Sequence, residues 1–404
     1  MADSADSPSF LLLLPSPQSS LSFTALRTAY AEDLTQVLRE AANWSSESSQ
    51  AAILDIAVAC TNLKNNYADL VSGLYKLICV IAAKESINVE DADGVDVRIV
   101  LLVSDMLVST NRTLQGPLIN LETVARSGRQ WQFVFGTESE DGQKLMQNFL
   151  AVKNDHHGHG HGHGPEQVDD AASRESRPER APLSGVSNGH LSVAVGGTFD
   201  HLHIGHKLLL TMTALALVPE EATSSERSLT VGITGDELLK KKRYREVLES
   251  WDDRQKSVWR FLKAIMDFRA PGEDHVEVEE KHDSGPNGHA VHIRLGQTLT
   301  IKCVEIWDPF GPTITEESIT ALVLSAETRA GGEAVNKKRA EQGWPELKVS
   351  EVDVLDAQED TDRSTASSGQ PHSFESKISS TEIPSETTYL FKAMKEPNAG
   401  RFAI

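Results

Sequence analysis

Two histidines three residues apart, His203 and His206, stand where the chain most plainly offers chemistry. They close the run Gly196-Gly197-Thr198-Phe199-Asp200-His201-Leu202-His203-Ile204-Gly205-His206. Val193, Ala194 and Val195, just before it, read as a short buried strand, and the apolar run that follows, to Leu217, suits a helix packed on a sheet. A strand, a glycine turn and a helix start together hold phosphate. Glycines let the backbone approach an anion, and the N–H groups at the helix start point at it. Spacing by three lets both imidazoles face the same anion. The turn has neither Gly-x-Gly-x-x-Gly nor a Walker lysine, so neither a dinucleotide fold nor a P-loop is indicated. The plain alternative is a tight strand-to-helix turn bearing two surface histidines.

The run resembles the signature of the His-x-Gly-His nucleotidyltransferases. The wider segment VAVGGTFDHLHIGHKLLL, residues 193–210, resembles the phosphopantetheine adenylyltransferases of the eukaryotic and archaeal type. The resemblance implies in-line attack of 4′-phosphopantetheine on the α-phosphorus of ATP, giving dephospho-CoA and pyrophosphate in coenzyme A biosynthesis. It implies that Thr198 positions the acceptor phosphate, and that His203 and His206 donate to the nucleotide phosphates. Gly196, Gly197, Phe199 and Gly205 would shape the nucleotide turn, and Mg2+ would accompany ATP.

Further segments carry the same likeness. Trp307 to Pro312, WDPFGP, resembles the family's Asp-Pro-Tyr-Gly-Pro, with Phe310 in place of tyrosine; Asp308 is the candidate contact, and a simple tight turn is the alternative. SAETRAGGEAVNKKR resembles a Ser-x-Glu-Thr segment followed by Asn-x-x-Arg, matched by Ser325, Glu327, Thr328, Asn336 and Arg339. Ile378 to Ile383, ISSTEI, resembles an Ile-Ser-Ser-Thr loop, which makes Ser379, Ser380 and Thr381 candidate holders of the leaving pyrophosphate. The same residues are good helix caps. Where relatives carry a cation soon after this loop, Pro384 and Ser385 stand in this chain, so Lys377 or Lys392 would have to supply that contact. Lys240, Lys241, Lys242 and Arg243 form either a solvated face or a triphosphate clamp; the resemblance favours one of the three lysines bridging both reactants, without saying which.

The elements that must position these groups follow from the pattern. The 404 residues suffice for two domains, each with its own core. A net charge of −20 argues against a general binder of nucleic acid or anionic membrane. Cys60, Cys79 and Cys303 lack metal-ligand spacing and read as buried thiols in a reducing compartment. The five-residue apolar run near the start, behind aspartates, is not a secretory signal, and no segment is apolar enough to span a membrane; a cytoplasmic protein is expected.

Residues 1–152 read as an α/β or α+β domain with no catalytic constellation. Strands are expected at Phe10–Leu14, Val95–Val103 and Trp131–Phe135, and helices at Ser22–Ala42, Ala51–Leu63 and Ser139–Val152. Residues 153–190 form a His/Gly-rich linker; its His-Gly alternation is either a metal-chelating tract or a spacer of biased composition. Residues 191–404 read as a doubly wound, Rossmann-like domain of about five parallel strands, with ligands at their carboxyl ends. Within it, Ala270–Gly296 reads as an inserted loop, Gln358–Ser373 as a mobile loop, and the segment from Lys377 as the start of a final helix.

Rival readings fail on residues. Class I aminoacyl-tRNA synthetases share the His-Ile-Gly-His string, but in this chain the catalytic half is short, a Lys-Met-Ser-Lys-Ser loop is missing and no basic RNA-binding surface is evident. Cytidylyl and nicotinamide-mononucleotide transferases are nearer, and the WDPFGP and SAET segments favour the pantetheine branch. A non-catalytic alternative is a nucleotide or CoA sensor, or a scaffold in complex with other enzymes of the pathway. No Walker motif of a fused dephospho-CoA kinase is found.

Overall fold

A computed structural model describes residues 7–18, 20–48, 50–61, 66–89, 94–103, 115–157, 189–240, 247–269, 276–283 and 285–355. The first unit begins with β1 (Ser9–Leu14), whose Phe10 to Leu14 are all buried. An unbroken apolar run of this kind marks a parallel strand covered on both faces. There follow α1 (Phe23–Ser48), β2 (Ala52–Ala59), α2 (Tyr67–Glu85), β3 (Val95–Leu102), β4 (Leu118–Ile119), α3 (Leu121–Arg126), β5 (Phe133–Gly136) and α4 (Glu140–His157). The strands form an all-parallel sheet in the order β4-β3-β2-β1-β5. This resolves the first unit as α/β.

The helix expected over Ala51–Leu63 is instead β2. A short apolar run does not distinguish a covered strand from a buried helix by periodicity alone. The helix of this region is α2, whose Leu70, Leu74, Ile78 and Ile81 recur on one face. Helix α4 runs to His157, past Val152.

The second unit comprises β6 (Ser192–Gly197), α5 (Ile204–Leu215), β7 (Arg227–Thr234), α6 (Asp236–Leu239), α7 (Trp251–Met266), β8 (Val276–His282), β9 (His289–Leu295), β10 (Leu299–Ile306), β11 (Ala321–Ser325), α8 (Arg329–Glu341) and β12 (Lys348–Val352). Its sheet runs β12-β11-β6-β7-β10-β9-β8. Strands β12, β11, β6, β7 and β10 are parallel, as expected. Strands β9 and β8 extend the sheet antiparallel, where a loop over Ala270–Gly296 was expected. The edge strand VEVEEKH is mostly exposed and charged, which protects an open edge but hides the strand from a search for apolar alternation. Chain order reverses between β6 and β11, the position at which such sheets open a ligand crevice.

The units do not keep separate cores. One apolar cluster runs from Phe10 and Val97 through Leu208 to Leu229 and Ile301. Helices α5 and α7 lie against β3, and α2 lies against α5. All three cysteines are buried, and burial pushes the Cys60 and Cys303 thiols up to about 12. Among the described residues no helix is long and apolar enough to cross a membrane.

Candidate functional site

The glycine turn is sharp because two side chains inside it take left-handed backbone: Phe199 at φ 53° and His201 at φ 42°. Such geometry persists only where neighbours over-determine it. Phe199 is fully buried. Asp200, also fully buried, accepts the Glu249 N–H at 2.9 Å through Oδ1, and Glu249 Oε2 accepts the His201 N–H at 2.7 Å. His201 Nε2 lies 3.0 Å from the Val247 carbonyl. The chain is thus stitched down just before α5 begins.

His203 is the N-cap of α5. Its Nδ1 accepts the Gly205 N–H at 3.2 Å, so the imidazole fills the place usually taken by a serine or aspartate oxygen. With Nδ1 accepting, a neutral ring carries its proton on Nε2 and can donate there. A Cβ at position 205 would come 3.1 Å from that ring, so glycine is the residue that lets the backbone close on it. The His206 ring stacks on His203 with centroids 3.8 Å apart and planes 29° off parallel, and Phe199 packs against it at 5.3 Å. The structure therefore pairs the two imidazoles at the head of α5, both buried.

Arg254 on α7 ties the site together, a role that sequence reasoning missed. Its side chain is fully buried. It donates to the carbonyls of Thr198 and Thr234 at 2.8 Å each, to that of Glu249 at 3.1 Å, and to Asp236 Oδ1 at 2.6 Å. One guanidinium thereby fixes the glycine turn, the end of β7 and the start of α6 relative to one another. The signal was legible: Arg254 falls on the apolar stripe of α7, with Trp251, Val258 and Phe261. A charge on a buried stripe needs partners.

A cavity of about 380 Å3 opens at the carboxyl ends of β6 and β11. Gly196, Gly197, Phe310, Gly311, Glu327 and Thr328 are among its walls. Asp308 Oδ1 accepts the N–H groups of Phe310 and Gly311 at 2.7 and 2.9 Å, which folds WDPFGP into a tight turn. Gly311 stands at φ +50°, and a Cβ there would meet Ile306 at 2.6 Å. Ala330 and Gly331, in the first turn of α8, also line the space. A larger cavity, about 940 Å3, lies at the carboxyl ends of β1 and β5. Glu32, Asp33, Glu138 and Asp141 line it with no lysine or arginine among the described residues, and burial, then Glu32 and Glu138, raise the Asp33 carboxyl above its ordinary value. That lining repels a triphosphate.

The remaining expected contacts divide. Asn336 is latched to Leu347, donating to its carbonyl at 3.0 Å and accepting its N–H at 2.8 Å. Arg339 is buried, and its guanidinium donates to the carbonyls of Thr313, Glu316, Glu317, Ile319 and Pro345. Those five bonds engage every N–H it has. Arg339 thus braces the segment after the Asp308 turn against α8. Lys240 is exposed and pairs with Glu237 at 2.5 Å. Lys241, Lys242, Ser379, Ser380 and Thr381 lie outside the described residues, as do Gln358–Ser373 and the final helix.

Relatives named phosphopantetheine adenylyltransferase share part of this chain. One from Saccharomyces cerevisiae is 35% identical over 190 residues, 47% of this chain and 46% of its own length. One from Methanothermobacter thermautotrophicus is 27% identical over 165 residues, 41% of this chain and 74% of its own. An uncharacterized protein of Schizosaccharomyces pombe is 38% identical over 172 residues, 43% of this chain and 42% of its own. Matches to the Schizosaccharomyces and Saccharomyces proteins thus span less than half of each relative's length. Residues 1–170 match a family described as a domain of unknown function, DUF8446. This unit, where no catalytic constellation was found, holds the acidic cavity at β1 and β5.

Proposed function

We propose that the chain transfers an adenylyl group from ATP to 4′-phosphopantetheine, releasing pyrophosphate. The observation that carries this reading is the stacked His203–His206 pair at the start of α5, at the end of the turn whose Gly196 and Gly197 line a cavity at the sheet's reversal point. The names of its partial relatives support the same reaction.

The reaction requires two anions to meet and negative charge to be neutralised as the transferring phosphoryl group passes between them. The turn at Gly196 and Gly197 lets phosphate come near the backbone, and the Thr198 hydroxyl orients the attacking phosphate. His203, with its proton on Nε2, donates to a phosphate oxygen. His206 donates at the α-phosphate as charge builds. The base and ribose enter the cavity between Gly196 and Thr328. Glu327, the carboxylate on the cavity wall among the described residues, would hold a Mg2+ ion bound mainly through nucleotide oxygens, and the ion would screen the triphosphate charge. Ser379, Ser380 and Thr381 hold the leaving pyrophosphate, and one lysine of Lys240, Lys241 and Lys242 bridges both reactants. Asn336 and Arg339 serve as braces.

A two-substrate assay tests this, following dephospho-CoA and pyrophosphate together. Product from ATP and 4′-phosphopantetheine is expected. Turnover with CTP or with another acceptor, and none with this pair, would move the chain to another branch of the nucleotidyltransferases. Binding of both substrates without pyrophosphate release would make it a sensor or scaffold.

A further inference from the structure

We propose that Glu280, His282 and His289 form a binding site for a divalent transition metal, zinc by the chemistry of its ligands, which clamps the β8–β9 hairpin. The site is independent of the adenylyl-transfer reading.

Strand register brings the three together. His282 and His289 are direct partners across the antiparallel pair, and Glu280 lies two residues back on the same face of β8. Their ligand atoms converge: Glu280 Oε1 is 3.2 Å from His282 Nε2 and 3.4 Å from His289 Nε2, and all three atoms lie within 4.8 Å of one another. Ligand atoms held at about 2.1 Å around a tetrahedral zinc are roughly 3.4 Å apart. The spacing suits one ion of that size.

The outer partner is also in place. His289 Nδ1 lies 2.9 Å from Glu305 Oε2 on β10. A carboxylate at Nδ1 holds the proton on that nitrogen and leaves the Nε2 lone pair as the ligand. In that tautomer Nε2 faces Glu280 Oε1, and two lone pairs repel unless a cation lies between them. The Trp251 ring, with its centroid 4.2 Å away, fixes the imidazole from the side, and the His282 ring lies nearly parallel to it, 12° apart. Two imidazoles and one carboxylate favour zinc over magnesium or calcium, which prefer oxygen alone. Three protein ligands leave a fourth position for water or an anion. His282 and Glu280 are more than half exposed, so an ion can enter directly from solvent.

The alternative is a metal-free arrangement in which a protonated His289 bridges Glu280 and Glu305. Zinc titration against a chromogenic chelator separates the two. Because the His-Gly tract can also take up metal, the parent for this experiment is the full chain with His156, His157, His159, His161 and His163 changed to serine. One zinc per chain is expected, with a dissociation constant in the micromolar range or below. His282→Ala and His289→Ala should each weaken binding at least tenfold, and Glu305→Gln by roughly tenfold, the usual effect of losing an outer partner. His292→Ala should leave it unchanged, since His292 sits on the other face among Lys281, Lys302 and Glu279. Zinc should also raise the melting temperature of the parent and not that of His282→Ala, an exposed position whose loss spares the core. A parent that takes up no zinc, or equal affinity in parent and His282→Ala, would overturn the proposal.

Discussion

Lys207 Nζ lies 2.7 Å from Asp96 Oδ1, and this contact joins the two units at the residue after His206. Lys207 is buried on α5; Asp96 belongs to β3 of the first sheet. The other Asp96 oxygen takes two N–H groups of Arg98, at 3.0 and 2.7 Å. One helical turn further along α5, the Thr211 hydroxyl lies 3.3 Å from that of Tyr75 on α2. Elsewhere Arg227 donates to Gln115 Oε1, whose amide donates to the Leu295 carbonyl. The first unit therefore grips the helix that carries both histidines.

Asp96→Ala should destabilise the whole chain by roughly 2–4 kcal/mol. Removing one partner strands a buried ammonium, at a cost somewhat reduced because Asp96 is partly exposed. Urea unfolding should read the loss, and Lys207→Met on the same background should restore part of it. The isolated 191–404 fragment should lose the apolar cover of α5 and α7 and fail to give a cooperative transition. A fragment with full stability and full activity would refute a supporting role for the interface.

Acid should act through the same carboxylate. Burial alone would raise Asp96, but the Lys207 ammonium and the Arg98 guanidinium outweigh it and hold the group well below the usual carboxylate range. A folded-state value below the unfolded one means that the unfolded chain binds the proton more readily. Stability from this group is then present above about pH 4, the unfolded value, and is lost as pH falls toward the folded one. The urea midpoint should fall more steeply from pH 5 to pH 3 in the native chain than in Asp96→Asn. Parallel slopes would show that other carboxylates govern acid unfolding.

His203 has a capping role and a chemical one, and substitutions can separate them. Asparagine is a good N-cap, so His203→Asn should keep stability within about 0.5 kcal/mol while turnover falls on the order of a hundredfold. His203→Ala should lose about 1 kcal/mol as well. His206→Ala should lose turnover by a hundredfold or more and leave the capping contact intact. Matched urea curves and steady-state rates on the three variants would check this; unaltered turnover in His206→Ala would remove it from the reaction.

The glycine turn, the five parallel strands and the histidine pair were legible because each rests on local pattern. Gly196 and Gly197 end an apolar run, and a spacing of three stacks His203 on His206. What was not legible depends on partners distant in sequence. The β8–β9 hairpin escaped because an edge strand keeps polar residues on both faces, and β2 escaped because a strand covered on both sides looks like a buried helix. The shared core was hidden for the same reason, since nothing near Lys207 in the chain announces Asp96. Arg339 can be read in two ways. An arginine in a motif reads as an anion ligand, but its position one turn after the buried Val335 places it on the packed side of α8.

Arg339 thus gives a sharp test of how structure reassigns a motif residue. A phosphate ligand, when lost, raises KM for ATP and leaves unfolding nearly unchanged. A brace, when lost, exposes or strands five carbonyl groups and lowers stability whatever the substrate does. Arg339→Met keeps apolar volume and removes every donor, so it should cost roughly 3–5 kcal/mol in urea unfolding, as for other buried charged hydrogen-bond networks. Arg339→Lys should recover only part of that, because an ammonium cannot reach five acceptors arranged around a planar fork. KM for ATP, measured below the unfolding range, should change less than threefold in the lysine variant. A tenfold rise in KM with an unmoved urea midpoint would return Arg339 to the nucleotide site.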